Sequence, residues 1–434
     1  MNQRAHYEML LESQYWPGQR LVDWQRRQLV DLLIGARAHS PFYRFRLNSV
    51  FSASGGINWD RWNDIPILGR ADVTAHHAKI LSANPPAAHG PFKDMMTSGS
   101  TGDPVTVRTT TYLVQLATAA IWRASLWQGV DWSKTYLNQL YVDTPLTAIT
   151  KLPGSWGPPW LRSAQRGRQY VSPRPFSAHE LFEGMVSTKA DYVTVAAGLI
   201  VELARISDAA GRPIRVKGFF ARGGTVEPYE RDYVREVFGA DIFGLYSSKE
   251  SGSLAHPCPE GPGLHVNDEH VLVEIVDDQG WPVAPGEEGR VVVTPFGSTA
   301  FPLIRYDQGD RAVRGAPCAC GRSLSVIERI SGRTIDLFRH PDGRVRFGQD
   351  QVAKLRTIIG AKRWQVAQIG PTAYEVRLPQ GIDYDLTRLE DFRLAMAEGL
   401  FGDADVTIRF VDALVANAAG KFKEYVSELP PAAA

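Results

Sequence analysis

Residues Thr97 to Pro104 read Thr-Ser-Gly-Ser-Thr-Gly-Asp-Pro, a density of small hydroxyl and glycine residues suited to gripping phosphate. Glycine lets the main chain approach an anion, and successive N–H groups in a turn form an anion-binding concavity without a lysine. Thr97, Ser98, Gly99, Ser100, Thr101 and Gly102 are therefore candidate phosphate ligands, although a plain surface connector has the same composition. The run is not a Walker A loop, because no Gly-Lys-Ser or Gly-Lys-Thr follows, and no GxGxxG fingerprint occurs. A second constellation uses every cysteine of the chain. His256-Pro-Cys258 and Cys318-Ala-Cys320 together offer one imidazole and three thiolates, the donor set of a Cys₃His zinc site. Four protein ligands would leave no open position for water, so such a zinc would be structural. Simple buried thiols are the alternative, and His265 and His270 stand nearby as alternative ligands.

The segments that must position these residues alternate between helix and strand. Val30, Leu33 and Ile34 fall on one helical face of a segment starting near Trp24 and ending before Ser40-Pro41. Ser177 and Glu180 form a capping box ahead of Leu181, and Leu199, Ile200, Leu203 and Ile206 make a further apolar stripe closed by Gly211 and Pro213. Residues 191–195, 216–221 and 242–245 read as buried strands, with a helix over 227–238. This βαβ rhythm predicts a parallel sheet. Residues 271–276 and 290–294 alternate around a turn at Asp277 to Gly280, which predicts a β-rich subdomain. After Gly332 the pattern becomes a small α+β unit, with strands at 374–378 and 406–411 and a helix between them capped by Thr387 and Glu390.

A chain of 434 residues exceeds what one hydrophobic core usually supports, and 44% hydrophobic residues is ordinary for a globular protein. A net charge of +1 argues against a dedicated nucleic-acid binder. Glu8 and Glu12 interrupt the N-terminal apolar residues and no apolar run reaches spanning length, so the sequence predicts neither a signal peptide nor a membrane partner, and a cytoplasmic location. Three cysteines do not suggest a secreted disulfide framework.

Four further segments join the Thr97 run in a recognisable order: Tyr246-Ser-Ser-Lys-Glu250, Arg305-Tyr-Asp-Gln-Gly-Asp310, Gly332-Arg-Thr-Ile-Asp336 and Ala419-Gly-Lys-Phe-Lys423. With Ser40 to Arg44 and Ile65 to Val73 near the N-terminus, they span nearly the whole chain. In this order the sequence resembles the adenylate-forming superfamily, specifically its phenylacetate-CoA ligase-like branch. The resemblance implies a large N-terminal domain over 1–331 with parallel sheets and a β-rich subdomain, a hinge at 332–336, and a small mobile α+β lid over 337–434. It assigns Thr97, Ser98, Ser100 and Thr101 to the β- and γ-phosphates of ATP, Glu250 to Mg²⁺, Asp310 to the ribose hydroxyls, Tyr246 to stacking beside adenine, and Gly223-Gly224 to the nucleotide pocket. Arg333 is implied near the ribose and hinge, and Lys421 as the lid lysine that meets the attacking carboxylate and the α-phosphate, with Lys423 as its decoy.

These roles are chemically coherent. A carboxylate accepts two hydroxyl hydrogen bonds, and a hard oxygen ligand suits Mg²⁺. Each residue also has an ordinary reading: Tyr246 as core, Asp310 as a cap after Gly309, Arg305 and Arg333 as surface charge. The sequence departs from the family pattern at Asp103, where the phosphate loop usually has lysine, and at Ser247 and Lys249, which stand for glycine and threonine. Asp103 is expected to face solvent, and Lys249 is a candidate to supply the missing cation beside Ser247 and Ser248. Trp122, Trp127, Tyr136 and Tyr141 lie in segments that line the acyl pocket in relatives, which points to an aromatic acid. Residues 142–147 lack the glycine-rich pattern associated with phenylacetate itself.

The expected activity is ATP-dependent conversion of a small carboxylic acid to an acyl-adenylate with PPi release, then acyl transfer to an acceptor, coenzyme A first among the candidates. An amide-forming ligase or carrier-protein loader uses the same first step, and a catalytically silent nucleotide-binding regulator is the reading from another class. The sequence leaves the oligomeric state open, a homodimer among the options.

Overall fold

A computed structural model of the protein describes residues 3–96, 105–139, 148–172, 177–223, 226, 228–333, 338–342, 344–346, 353–361, 364–380, 384–414 and 424–429. The chain opens with α1 (Gln3–Ser13) and α2 (Gly18–His39). Helix α2 starts a turn and a half earlier than the apolar stripe suggests, directly after Pro17, and buries Leu21, Leu29, Leu32, Leu33 and Ala36. It ends at Ser40, whose N–H still reaches the Ala36 carbonyl, because Pro41 biases the residue before it to extended backbone. A short α3 (Tyr43–Arg46) and α4 (Arg70–Ile80) follow.

Strands β1 (Phe92–Met96) and β2 (Thr106–Thr110) pair antiparallel, with Met96 opposite Thr106, so they hold both ends of the Thr97 run. The run itself, 97–104, lies outside the described residues. From β2 the chain enters α5 (Thr111–Trp127), whose first turn is capped by the Thr110 hydroxyl accepting from the Leu113 N–H.

A six-stranded sheet comes next: β3 (Tyr136–Gln139), β4 (Thr150–Ser155), β5 (Arg168–Ser172), β6 (Tyr192–Ala196), β7 (Gly218–Arg222) and β8 (Asp241–Phe243). Its order is β4-β5-β3-β6-β7-β8, parallel except for the β4 edge. The crossovers are α6 (Ala178–Thr188), α7 (Ala197–Ala209) and α8 (Pro228–Phe238), and the expected Ser177–Glu180 capping box opens α6. These helices pack on one face of the sheet through Leu181, Phe182, Ile200, Leu203, Val234 and Phe238, against Leu137, Val193 and Phe219.

A seven-stranded antiparallel sheet follows, as expected of a β-rich subdomain. It contains β9 (Tyr246–Ser248), β10 (Gly252–Pro257), β11 (Leu264–Val266), β12 (Val271–Val276), β13 (Glu288–Pro295), β14 (Tyr306–Arg314) and β15 (Val326–Arg333) in the order β12-β13-β14-β15-β11-β10-β9. Its core takes in residues of α2, α3 and α4, including Leu33, Tyr43 and Val73.

The last stretch builds its own core from Phe338, Trp364, Tyr374, Phe392 and Met396. It holds the hairpin β16 (Phe338–Arg339) and β17 (Val345–Arg346), and a sheet of β18 (Gln365–Gln368), β19 (Ala373–Pro379), β20 (Asp405–Val411) and β21 (Tyr425–Ser427) beside α9 (Leu389–Leu400). The expected Thr387–Glu390 cap is not what opens this helix. Asp385 accepts from the Thr387 N–H and hydroxyl in a preceding 3₁₀ turn, because a carboxylate two residues upstream reaches those donors directly. No helix of the described residues is long and apolar enough to cross a membrane.

Candidate nucleotide site and thiol cluster

The six-stranded sheet presents the C-terminal ends of its parallel strands at one edge, the place where open α/β sheets bind ligands. Strand β7 ends there at Arg222, and the next residue, Gly223, has a φ of +69° that a residue with a Cβ rarely adopts. Gly224 lies outside the described residues. Two strands on, β9 begins with Tyr246, half-buried against the core of the seven-stranded sheet. Its hydroxyl donates to Asp310 Oδ2 at 2.7 Å, which joins two motifs 64 residues apart. Asp310 is mostly buried on β14, and its backbone pairs with Arg333 on β15, so the carboxylate and the tyrosine lie at the end of β15. The Arg333 side chain and Asp336 are not among the described positions.

Ser247 and Ser248 pair with Ser253 and Gly252 across the β9–β10 turn, and the Ser248 hydroxyl accepts from the Ser251 N–H. That turn presents Lys249 and Glu250. Lys249 Nζ donates to the Met96 carbonyl at 3.0 Å, so its ammonium sits at the residue that leads into the Thr97 run. No ion pair holds Glu250 among the described residues, and its side chain is partly exposed. Lys421 and Lys423 fall within 415–423, outside the described residues.

Arg305, read from sequence as a surface charge, is instead buried. It donates to the carbonyls of Asn63, Ile65 and Gly280 and pairs with Glu274 at 3.2 Å. The apolar run Phe301-Pro-Leu-Ile304 carries it inward, and it clamps the N-terminal segment to the β12–β13 turn.

The thiols do gather, with one correction to the expected set. Cys258, Cys318, Cys320 and His265 place one donor atom each within 4.8 Å of one another. Cys258 Sγ lies 3.8 Å from Cys318 Sγ, and His265 Nε2 lies 3.2 Å from Cys320 Sγ. His256 is not a member. It sits directly opposite His265 on the β10–β11 hairpin, but its Nε2 is engaged by the Ser253 hydroxyl at 2.8 Å. Tetrahedral Zn–S bonds of about 2.3 Å set sulfurs about 3.8 Å apart, so the geometry fits zinc. Burial pushes the His265 imidazole down to about 4, which keeps it in the neutral, ligating form. It also raises the Cys258 thiol to about 11, whereas for Cys320 the burial effect is outweighed by hydrogen bonds from Arg322 that bring it down.

The cluster is tied to the N-terminal helix. Arg322 and the Trp127 indole both donate to Gln14 Oε1, and Trp127 lies edge-on to His265 with the guanidiniums of Arg123 and Arg322 against its ring. Arg123, fully buried, pairs with Glu269 at 2.6 Å and donates to Asn267 Oδ1. Sequence reasoning missed this network. Its signal is visible in hindsight, since Arg123 is the lone charged residue of α5. Of the aromatic residues expected to line an acid pocket, Trp122 meets Trp160 edge-on and Tyr136 stacks on Trp156. Tyr141 is outside the described residues.

No family model matches the chain. A phenylacetate-coenzyme A ligase of Thermus thermophilus is 35% identical over 103 residues, 23% of each protein. One from Escherichia coli is 31% identical over 150 residues, 32% of each. The matched segments thus span less than a third of these relatives. A crystal structure of 2-hydroxyisobutyryl-CoA ligase in the postadenylation state, in complex with R3-HIB-AMP, superposes over 92% of this chain and 88% of its own with a TM-score of 0.72 at 18% identity. The chain is thus similar over short segments to two phenylacetate-coenzyme A ligases, and it shares the fold of 2-hydroxyisobutyryl-CoA ligase over nearly its full length.

Proposed function

We propose that the protein activates a carboxylic acid with ATP and passes the acyl group to coenzyme A. The observation that supports this reading is the hydrogen bond from Tyr246 to Asp310, which joins the motif read as adenine-side to the one read as ribose-side. A carboxylate oxygen of the acid attacks the α-phosphorus, the bond from that phosphorus to the bridging β-oxygen breaks, and PPi leaves. The thiol of coenzyme A then attacks the acyl carbon, expelling AMP and losing its proton. The crystal structures of 2-hydroxyisobutyryl-CoA ligase in complex with AMP conjugates and with coenzyme A support the same two steps here.

Positioning and electrostatics are the protein's contribution. In this reading Asp310 accepts from the ribose hydroxyls, Tyr246 flanks the base, and the Thr97 run and Lys249 meet the β- and γ-phosphates. Glu250 holds Mg²⁺, which neutralises phosphate charge when bound. Lys421 meets the α-phosphate from a C-terminal unit that hinges near 332–336. Cys258, His265, Cys318 and Cys320 hold a structural zinc, which would staple the β10–β11 hairpin to the segment between β14 and β15. A cytoplasmic enzyme without nucleic-acid or membrane partners fits the composition. The reading is tested by incubating the protein with ATP, Mg²⁺ and a panel of acids and measuring PPi, then adding coenzyme A or amines. Release of PPi that depends on the acid, with a thioester formed on adding coenzyme A, is expected. Absence of acid-dependent PPi across aromatic, hydroxylated and short aliphatic acids would refute it.

A further inference from the structure

Strand β3 runs Tyr136-Leu-Asn-Gln139 between β5 and β6, where a buried parallel strand ordinarily carries apolar side chains. Asn138 is 6% exposed, and its Oδ1 has no hydrogen-bond partner among the described residues. Buried polar groups are nearly always satisfied, so an amide oxygen left open at the end of a central strand calls for an explanation.

Its placement supplies one. Side chains alternate across a strand, so Asn138 shares a face with Tyr136, and Leu137 points to the face covered by α6, α7 and α8. Asn138 stands in register with Thr194 of β6, which in turn stands beside Phe220 of β7. The Tyr136 hydroxyl is paired with the Thr194 hydroxyl at 2.6 Å, and neither is hydrogen-bonded to Asn138 Oδ1. The amide lies on the face without the crossover helices, at the sheet edge where β7 delivers Gly223.

We propose that Asn138 recognises the acid through a hydrogen bond to a hydroxyl group, making hydroxylated carboxylic acids the substrate class. This rests on the acid-activating reading given above. A hydroxyl both donates and accepts, so it satisfies the amide whichever end meets it. A site built to hydrogen-bond a substrate hydroxyl rejects the analogue lacking it, since the buried amide is then left unpaired. Gln139 also has a buried Oε1 without a partner among the described residues, but it points with Leu137 to the helix side and serves as the control.

The test compares matched pairs, such as benzoate with its hydroxybenzoates, phenylacetate with mandelate and the hydroxyphenylacetates, and isobutyrate with 2-hydroxyisobutyrate. Both PPi release and direct binding by calorimetry are followed in the wild type, Asn138→Leu and Gln139→Met. The hydroxylated member of at least one pair should be preferred roughly tenfold to a hundredfold in kcat/KM. Asn138→Leu should erase that preference through KM while leaving the unsubstituted acid at least as good a substrate, with ATP binding and melting temperature showing that the variant is folded. Gln139→Met should retain it. A wild type that prefers the unsubstituted acid throughout, or an Asn138→Leu variant that keeps the preference, overturns the proposal. Hydroxylated acids that bind selectively without PPi release would instead sink the activation reading and leave this one standing. Acids of neither kind binding would overturn it.

Discussion

His265, not His256, should carry the metal of the thiol cluster, and the two histidines give a sharp test because they face each other on one hairpin. His265→Ala removes a donor 3.2 Å from Cys320, while His256→Ala removes only a hydrogen bond to Ser253. The size of the effect follows from what the site joins. Cys258 and Cys318 are 60 residues apart, and tying a loop of that length removes denatured-state entropy equivalent to about 4 kcal/mol. Treating the metal as such a crosslink, its loss should lower the melting temperature by roughly 5 °C in a chain of 434 residues. The assay is metal analysis by mass spectrometry together with thermal melts of the wild type, both histidine variants and Cys318→Ser. About one zinc per chain is expected in the wild type and His256→Ala, with strong loss in His265→Ala and Cys318→Ser. Metal retained by His265→Ala but lost by His256→Ala would refute the geometric reasoning, and a metal-free, stable wild type would remove the site altogether.

Asp310→Ala should raise the KM for ATP by roughly tenfold to a hundredfold, the loss of charge-assisted hydrogen bonds, and Tyr246→Phe should raise it less; steady-state kinetics at saturating acid would check the order. Lys421→Ala should slow PPi release by on the order of a hundredfold and Lys423→Ala much less, with transfer from a prepared acyl-adenylate spared in both. The buried pair of His6 and His270 should make the protein acid-sensitive. Burial holds His6 down at about 4 and His270 well below its ordinary value, so the unfolded chain binds more protons below pH 6.5, and stability should be complete above that pH and fall towards pH 4. The His6 shift alone corresponds to about 3 kcal/mol. Asp268, raised by burial to about 7, acts in the opposite sense over the same range. Melting temperatures of the wild type minus those of His6→Phe, taken from pH 8 to pH 4, isolate the histidine contribution, and a flat difference would contradict it.

The elements whose periodicity or capping chemistry is local were legible in the sequence. The Ser177–Glu180 box, the α7 stripe and the β12–β13 hairpin each depend on neighbours a few residues away. The cysteines were legible as a cluster, because three thiols flanking one β-rich region have few other uses. Which histidine completes the set was not, because His256 and His265 are cross-strand partners and only the competing Ser253 hydroxyl separates them. Arg305 and Arg123 were misread or missed for the same reason. Their burial depends on carbonyls and carboxylates up to 242 residues away, which no local pattern encodes. The cap at Asp385 was missed because two good capping sequences overlap there, and the upstream carboxylate prevails.

The central claim, that an acid carboxylate attacks the α-phosphorus of ATP, is tested most directly by the fate of its oxygen. The protein is incubated with ATP, Mg²⁺, coenzyme A and an accepted acid labelled with ¹⁸O in both carboxylate positions, and the products are weighed by mass spectrometry. One labelled oxygen should appear in each AMP and none in PPi, with the other retained in the thioester. Unlabelled AMP, or ADP as the nucleotide product, would contradict the account.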